Sequence, residues 1–194
     1  MSFVISSTST GQNYSQMPIG SVLQSAVGRN DTKSTKVFTA RSVWEEVPGT
    51  LRCTLTPKES GNIVVVRSHL FWGGWNNSVD VSAIFRIFSS TDNGSTWNAF
   101  GNYQSTIVGA TNSAQGVATG KYKYAQGDNN ASSMSDNILI HDTVSSTSSH
   151  IFAVFWACGY EANSRTLYWN RTINTGNSYN SRHFCSIQAT EIKA

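Results

Sequence analysis

Apolar and polar side chains alternate along much of this chain with the two-residue period of β-strands. Leu51, Cys53 and Leu55 share one face of a short run, with Arg52 and Thr54 on the other. From Val79 to Phe88 the pattern is longer. Val79, Val81, Ala83, Phe85 and Ile87 face one way, and Asp80, Ser82, Ile84, Arg86 and Phe88 the other. Further strands are predicted over 21–27, 35–40 and 42–47, and from Ile63 through the β-branched Val64-Val65-Val66 toward Phe71. Pro48-Gly49 and the stretch Pro57–Gly61 punctuate them as turns. No segment carries an apolar stripe of helical period, so almost no helix is expected. About eight to ten short strands separated by turns predict an all-β sandwich or barrel.

Two stretches depart from simple alternation. Ile151 to Cys158 is apolar throughout, so both faces of that strand avoid water. The second face needs a further layer, from this chain or from another copy, and a subunit interface is expected there. In Trp72-Gly73-Gly74-Trp75 the glycines are expected to bend the strand or form a bulge. Residues 103–136 are the least patterned and read as a long surface loop, with Lys121–Tyr124 as a short exposed strand. Residues 1–19 carry the apolar cluster Phe3-Val4-Ile5 but no sustained alternation. They read as a docking arm ahead of a domain over 20–194.

Composition narrows the function classes. Charged residues are 13 % of the 194, while Ser, Thr and Asn make up roughly a third, so hydroxyls and amides solvate the surface. A net charge of +3 spread over scattered Lys and Arg gives no basic stripe, and nucleic acid is not an expected partner. No run of apolar residues is long enough for a transmembrane helix, and the first residues do not resemble a secretory signal, so synthesis in a cytoplasm, or a signal already removed, is expected. Cys53, Cys158 and Cys185 have no metal-ligand spacing. Buried, reduced thiols are expected, with a Cys158–Cys185 bridge as the alternative.

Candidate chemistry is sparse. His69, His141, His150 and His183 share no metal spacing, and His141-Asp142 has no nucleophile motif beside it. The 11 carboxylates form no recognisable acid/base pair, so neither catalytic residues nor a cofactor or metal is expected. Asp128-Asn129-Asn130 with Asp136 offers oxygen ligands without the spacing of a known calcium loop. Ser90-Thr91-Asp92-Asn93-Gly94-Ser95-Thr96-Trp97 fits the Asp-box pattern of sialidases and other propeller proteins over these eight residues. There the motif recurs from blade to blade and is not catalytic. Here it is read as a hairpin turn: Asp92 bonds amides across it, Gly94 permits positive φ, and Trp97 covers it.

Over residues 20–194 the chain resembles the C-terminal heads of phage fibre proteins, especially from phages of cyanobacteria and other aquatic bacteria. The residues that carry the resemblance are Gly20-Ser-Val-Leu-Gln24, Leu55-Thr-Pro-Lys-Glu-Ser-Gly-Asn-Ile-Val-Val-Val66, Val144–Val154, Trp169-Asn-Arg-Thr172 and Cys185-Ser-Ile-Gln-Ala-Thr-Glu-Ile192. The resemblance implies a homotrimeric antiparallel jelly roll, similar to tumour necrosis factor and the globular complement heads, on the outside of a virion. Few residues precede the head where a long tail fibre has a shaft. A short capsid fibre or a decoration protein is therefore the alternative to a tail fibre. A carbohydrate-active enzyme and a secreted lectin are the alternatives of other classes.

In that setting Ile151, Ala153, Phe155, Ala157, Ile187 and Ala189 are expected around a threefold axis. Phe3, Val4 and Ile5 are expected to dock onto another virion protein. Trp72, Trp75, Tyr122 and Tyr124 are the candidate stacking platforms for a host-surface glycan, with a core or interface role as the alternative for the two tryptophans.

Overall fold

In the computed structural model the described residues are 2–5, 14–39, 43–75, 81–101, 118–122, 133–158, 165–170 and 184–194. Most of them are strand: β1 (Ser2–Ile5), β2 (Val22–Asn30), β3 (Ser34–Phe38), β4 (Glu45–Glu46), β5 (Arg52–Leu55), β6 (Ile63–Trp75), β7 (Val81–Ser90), β8 (Asn98–Ala99), β9 (Ala118–Tyr122), β10 (Ser133–Thr143), β11 (His150–Cys158), β12 (Arg165–Trp169) and β13 (Cys185–Ile192). The only helical turn among the described residues is a 3-10 turn at Tyr14–Gln16.

Several strands are pieces of one longer strand. On one side of β6, Trp169 of β12 pairs with Trp72 and Ser186 of β13 pairs with His69, both running antiparallel to β6. β12 and β13 thus lie end to end on one line beside β6. β2 and β3 lie end to end beside β13 and β12 in the same way. In the second sheet β4 and β5 lie end to end along β11, and β8 and β9 along β7.

Joined like this, the segments make eight rows: β2/β3, β4/β5, β6, β7, β8/β9, β10, β11 and β12/β13. Sheet A holds rows 1-8-3-6, with β1 on the outer edge of β2, and sheet B holds rows 2-7-4-5. Every pairing is antiparallel, and this order is that of a jelly roll. The all-β sandwich predicted from the alternation is the fold.

The alternation also assigns the faces. Val64, Val66, Leu70 and Trp72 of β6 point inward with Ile138, Ile140, Ile187 and Ala189. They meet Phe85, Ile87, Phe152, Val154 and Trp156 of sheet B. A chain of rings fills the centre. Phe38 meets Trp156 edge-on at 5.3 Å, Trp156 meets Trp169 at 5.7 Å, and Phe85 lies 5.7 Å from Trp72. At one corner the sheets close on Gly28. A Cβ there would lie 1.8 Å from the Arg52 carbonyl oxygen, so only glycine lets β2 approach β5.

Three expectations are corrected. Gly73 and Gly74 introduce no bulge, because both stay in register opposite Tyr168 and Leu167. The region 103–136 is less of a loop than expected: the short strand read over Lys121–Tyr124 overlaps β9 (Ala118–Tyr122), and β10 already begins at Ser133. In the apolar run, residues 152–158 are buried on both faces inside the single chain, which supplies the second layer itself.

Candidate functional site

That second layer covers the outer face of sheet B. The Phe155 ring, 8 % exposed, lies 4.5 Å from Phe88 and 5.3 Å from Trp97, and Phe88 lies 5.8 Å from Trp44. The Arg52 guanidinium sits 5.0 Å over the Trp97 ring and forms a bidentate pair with Glu46, with both contacts at 2.6 Å. This hydrogen bond raises the pKa of Arg52 against the opposing effect of partial burial. The Arg86 guanidinium packs over Phe88, and burial lowers its pKa.

Trp97 reaches this layer because the turn before it is internally tied. Ser90 Oγ donates to Asp92 Oδ1 and accepts from the Gly94 amide. Asp92 also accepts from the Thr96 amide and hydroxyl. Asn93 and Gly94 adopt φ of 60° and 86°. The eight-residue motif is a turn that delivers a tryptophan onto sheet B.

Hydrogen bonds from the Thr96 side chain and amide, and from Ser90, hold the Asp92 pKa at about 2, below its ordinary 3.8. A carboxylate with a depressed folded pKa stabilises the fold above the ordinary value and loses that effect as pH falls through about 2. Asp92→Asn is therefore expected to lower Tm at neutral pH and to flatten its fall across the acid range. Melting curves against pH check this, and an unchanged acid limb would refute it.

The residues expected at a subunit interface lie elsewhere than expected. Ala153, Ala157, Ile187 and Ala189 are fully buried in the single chain, with no surface left for a neighbour. Ile187 and Ala189 belong to the core between the sheets. Ile151 is half-buried. Trp72 is no sugar platform, since it is fully buried and its Nε1 donates to Asp136 Oδ2 at 2.6 Å. The Trp75 and Tyr122 side chains and all of Tyr124 lie outside the described residues. So do the side chains of Phe3, Val4 and Ile5, whose backbone pairs with β2 from Val27 to Ser25.

The three cysteines are buried thiols, none of them in a disulfide. Burial pushes the Cys53 and Cys185 thiols up to about 12, which removes their nucleophilic character at neutral pH. Cys185 instead closes a buried polar knot where β12 gives way to β13. Its Sγ accepts from the Phe71 amide at 3.0 Å and donates to Asn170 Oδ1 at 2.9 Å. Asn170, at φ 52°, donates through Nδ2 to the Asn30 carbonyl. His150 is buried against Phe152, and desolvation lowers its pKa. His141 is exposed, and Asp142 accepts from the neighbouring Thr143 amide. Residues 128–130 lie outside the described residues. Among the described residues no group of three His, Cys, Asp or Glu is placed to hold a metal ion.

The sequence reading missed a groove of about 640 Å³ on the outer face of sheet A. Adjacent rows place Arg29, Arg67, His69, Asn137 and Gln188 around it, with Leu139 and Phe184 as apolar members. Leu139 is 64 % and Phe184 54 % exposed. Arg67 Nε donates to Gln188 Oε1 at 2.7 Å, His69 Nδ1 lies 3.0 Å from Asn137 Oδ1, and the Arg29 guanidinium rests 5.4 Å over Phe184. Among the described residues no carboxylate lines the groove. The only sequence signal was the outward alternation of each strand, which does not say which strands become neighbours.

Fold and surface together define an all-β jelly-roll protein with one aromatic-capped sheet and one open, basic sheet face. No protein-family model matches the chain, and no curated protein is significantly similar to it.

Proposed function

We propose that this chain is a non-enzymatic structural protein of a phage particle, a homotrimeric head on a short tail or capsid fibre that attaches to a host-surface glycan. The observation that carries the reading is the jelly-roll strand order, the fold that the resemblance to phage fibre heads implies. Two stretches that carry the resemblance also meet in space. Glu191 of the terminal strand accepts from the Lys58 and Glu59 amides and from Asn62 Nδ2, all within 55–66. Subunit contacts in the trimer fall on surface that the single chain leaves open, because its two-faced strand is already covered.

In this reading residues 2–18 dock the head onto another virion protein. The four residues of β1 add one short strand at the edge of sheet A, where main-chain pairing with a partner strand can extend or replace it. Light scattering of the purified chain at micromolar concentration is expected to return the mass of three chains. Deletion of residues 2–18 is expected to leave that trimer folded and to abolish its incorporation into particles. A monomeric wild type refutes the trimer, and normal incorporation refutes the docking role. Immunogold labelling of tail-less capsids would assign the protein to shell decoration instead.

A further inference from the structure

We infer that the groove on the outer face of sheet A binds an acidic saccharide, of the uronate or sulfated class. The inference rests on the attachment reading and gives it a place and a ligand chemistry. Arg29 and Arg67 come from β2 and β6, two rows separated by β13, so the groove carries a cation on each side of the β13 row. Among the described residues neither arginine forms an ion pair, and no carboxylate lines the groove to neutralise them. A planar guanidinium matches a carboxylate or sulfate through paired hydrogen bonds.

Beside the two cations lie neutral groups suited to hydroxyls. Gln188 and Asn137 are primary amides that donate and accept, and His69 offers a second ring nitrogen beyond the one facing Asn137. Phe184 supplies an exposed ring for the C–H face of a sugar. The volume falls in the range of small-molecule sites. Charge also argues against a second copy seated face to face on this surface. Such an approach opposes arginines to arginines, and like charges across an interface are repelled.

The test uses the full-length chain with two anionic probes, polygalacturonate (carboxylate) and carrageenan (sulfate), and neutral dextran as control. Affinity electrophoresis is expected to show binding to at least one anionic polymer, none to dextran, and weakening as salt rises. Arg29→Ala with Arg67→Ala is expected to weaken binding at least tenfold. Both side chains are exposed, so Tm should stay unchanged. Equal binding to dextran, no binding to either anionic polymer, or undiminished binding by the double variant would each overturn the inference. A fall in oligomeric mass in the double variant would also overturn it, because the face would then be a subunit contact. The attachment reading is tested separately, by asking whether soluble wild-type protein blocks adsorption of the particle. Blocking without anionic binding removes only the groove, and anionic binding without blocking removes only the attachment role.

Discussion

Phe155→Asp is expected to abolish the fold, with no soluble native subunit released. Phe155 is 8 % exposed, and its ring holds together the layer formed with Phe88 and Trp97. Removing a buried phenylalanine costs about 3–5 kcal/mol, and a carboxylate left in its place among rings adds a desolvation penalty of similar order. Against a total stability of about 5–15 kcal/mol, that sum removes most or all of the margin that keeps the chain folded. Phe155→Leu keeps an apolar side chain and is expected to fold with lowered stability. Circular dichroism with urea titration checks both. A folded, monomeric Phe155→Asp protein would show that this face is an exposed subunit contact and not a covered layer of the domain.

The second large effect is expected at Glu191, a carboxylate with no exposed surface. Its Oε1 accepts from the Lys58 amide at 2.8 Å and from Asn62 Nδ2 at 2.7 Å, and its Oε2 from Gln24 Nε2 at 2.6 Å. No cation pairs with it among the described residues. The carboxylate is satisfied by dipoles that are themselves buried or half-buried. It ties the turn after β5 to the last strand of sheet A. Glu191→Ala strands several donors at once, each costing about 1–3 kcal/mol when left without an acceptor. A loss of roughly 3 kcal/mol or more is expected. Glu191→Gln keeps one acceptor oxygen and is expected to cost about half as much. Chemical denaturation of the two variants tests the ordering, and equal stability of wild type and Glu191→Ala would refute the role.

Local features could be read directly. Which side chains of β5 and β7 face inward follows from the pleat alone, because successive residues of any strand point to opposite sides. The turn from Ser90 to Trp97 was equally legible, since its hydrogen bonds all close within the motif. The aromatic payload of the two-faced strand was visible too. What would cover it was not, because Trp97 reaches Phe155, and Trp44 reaches the neighbouring Phe88, from segments remote in sequence.

What the chain determined by itself is therefore the set of strands, their faces and the one self-tied turn, all of which depend on neighbours a few residues away. Only the tertiary structure decided which strands share a row. β12 and β13 form one line broken after Asn170, and β2 and β3 form another, and no periodicity spans those breaks. That arrangement sends Trp72 into the core opposite Trp169, so it cannot present its ring to a sugar. It also brings Glu191 to the Asn62 amide, 129 residues away in sequence. And it assembles the basic groove, since Arg29, Arg67, Asn137 and Gln188 become neighbours only when rows β2, β6, β10 and β13 lie side by side. Pairing between distant strands is chosen by the packing of the whole sandwich, a long-range free energy that no local pattern contains.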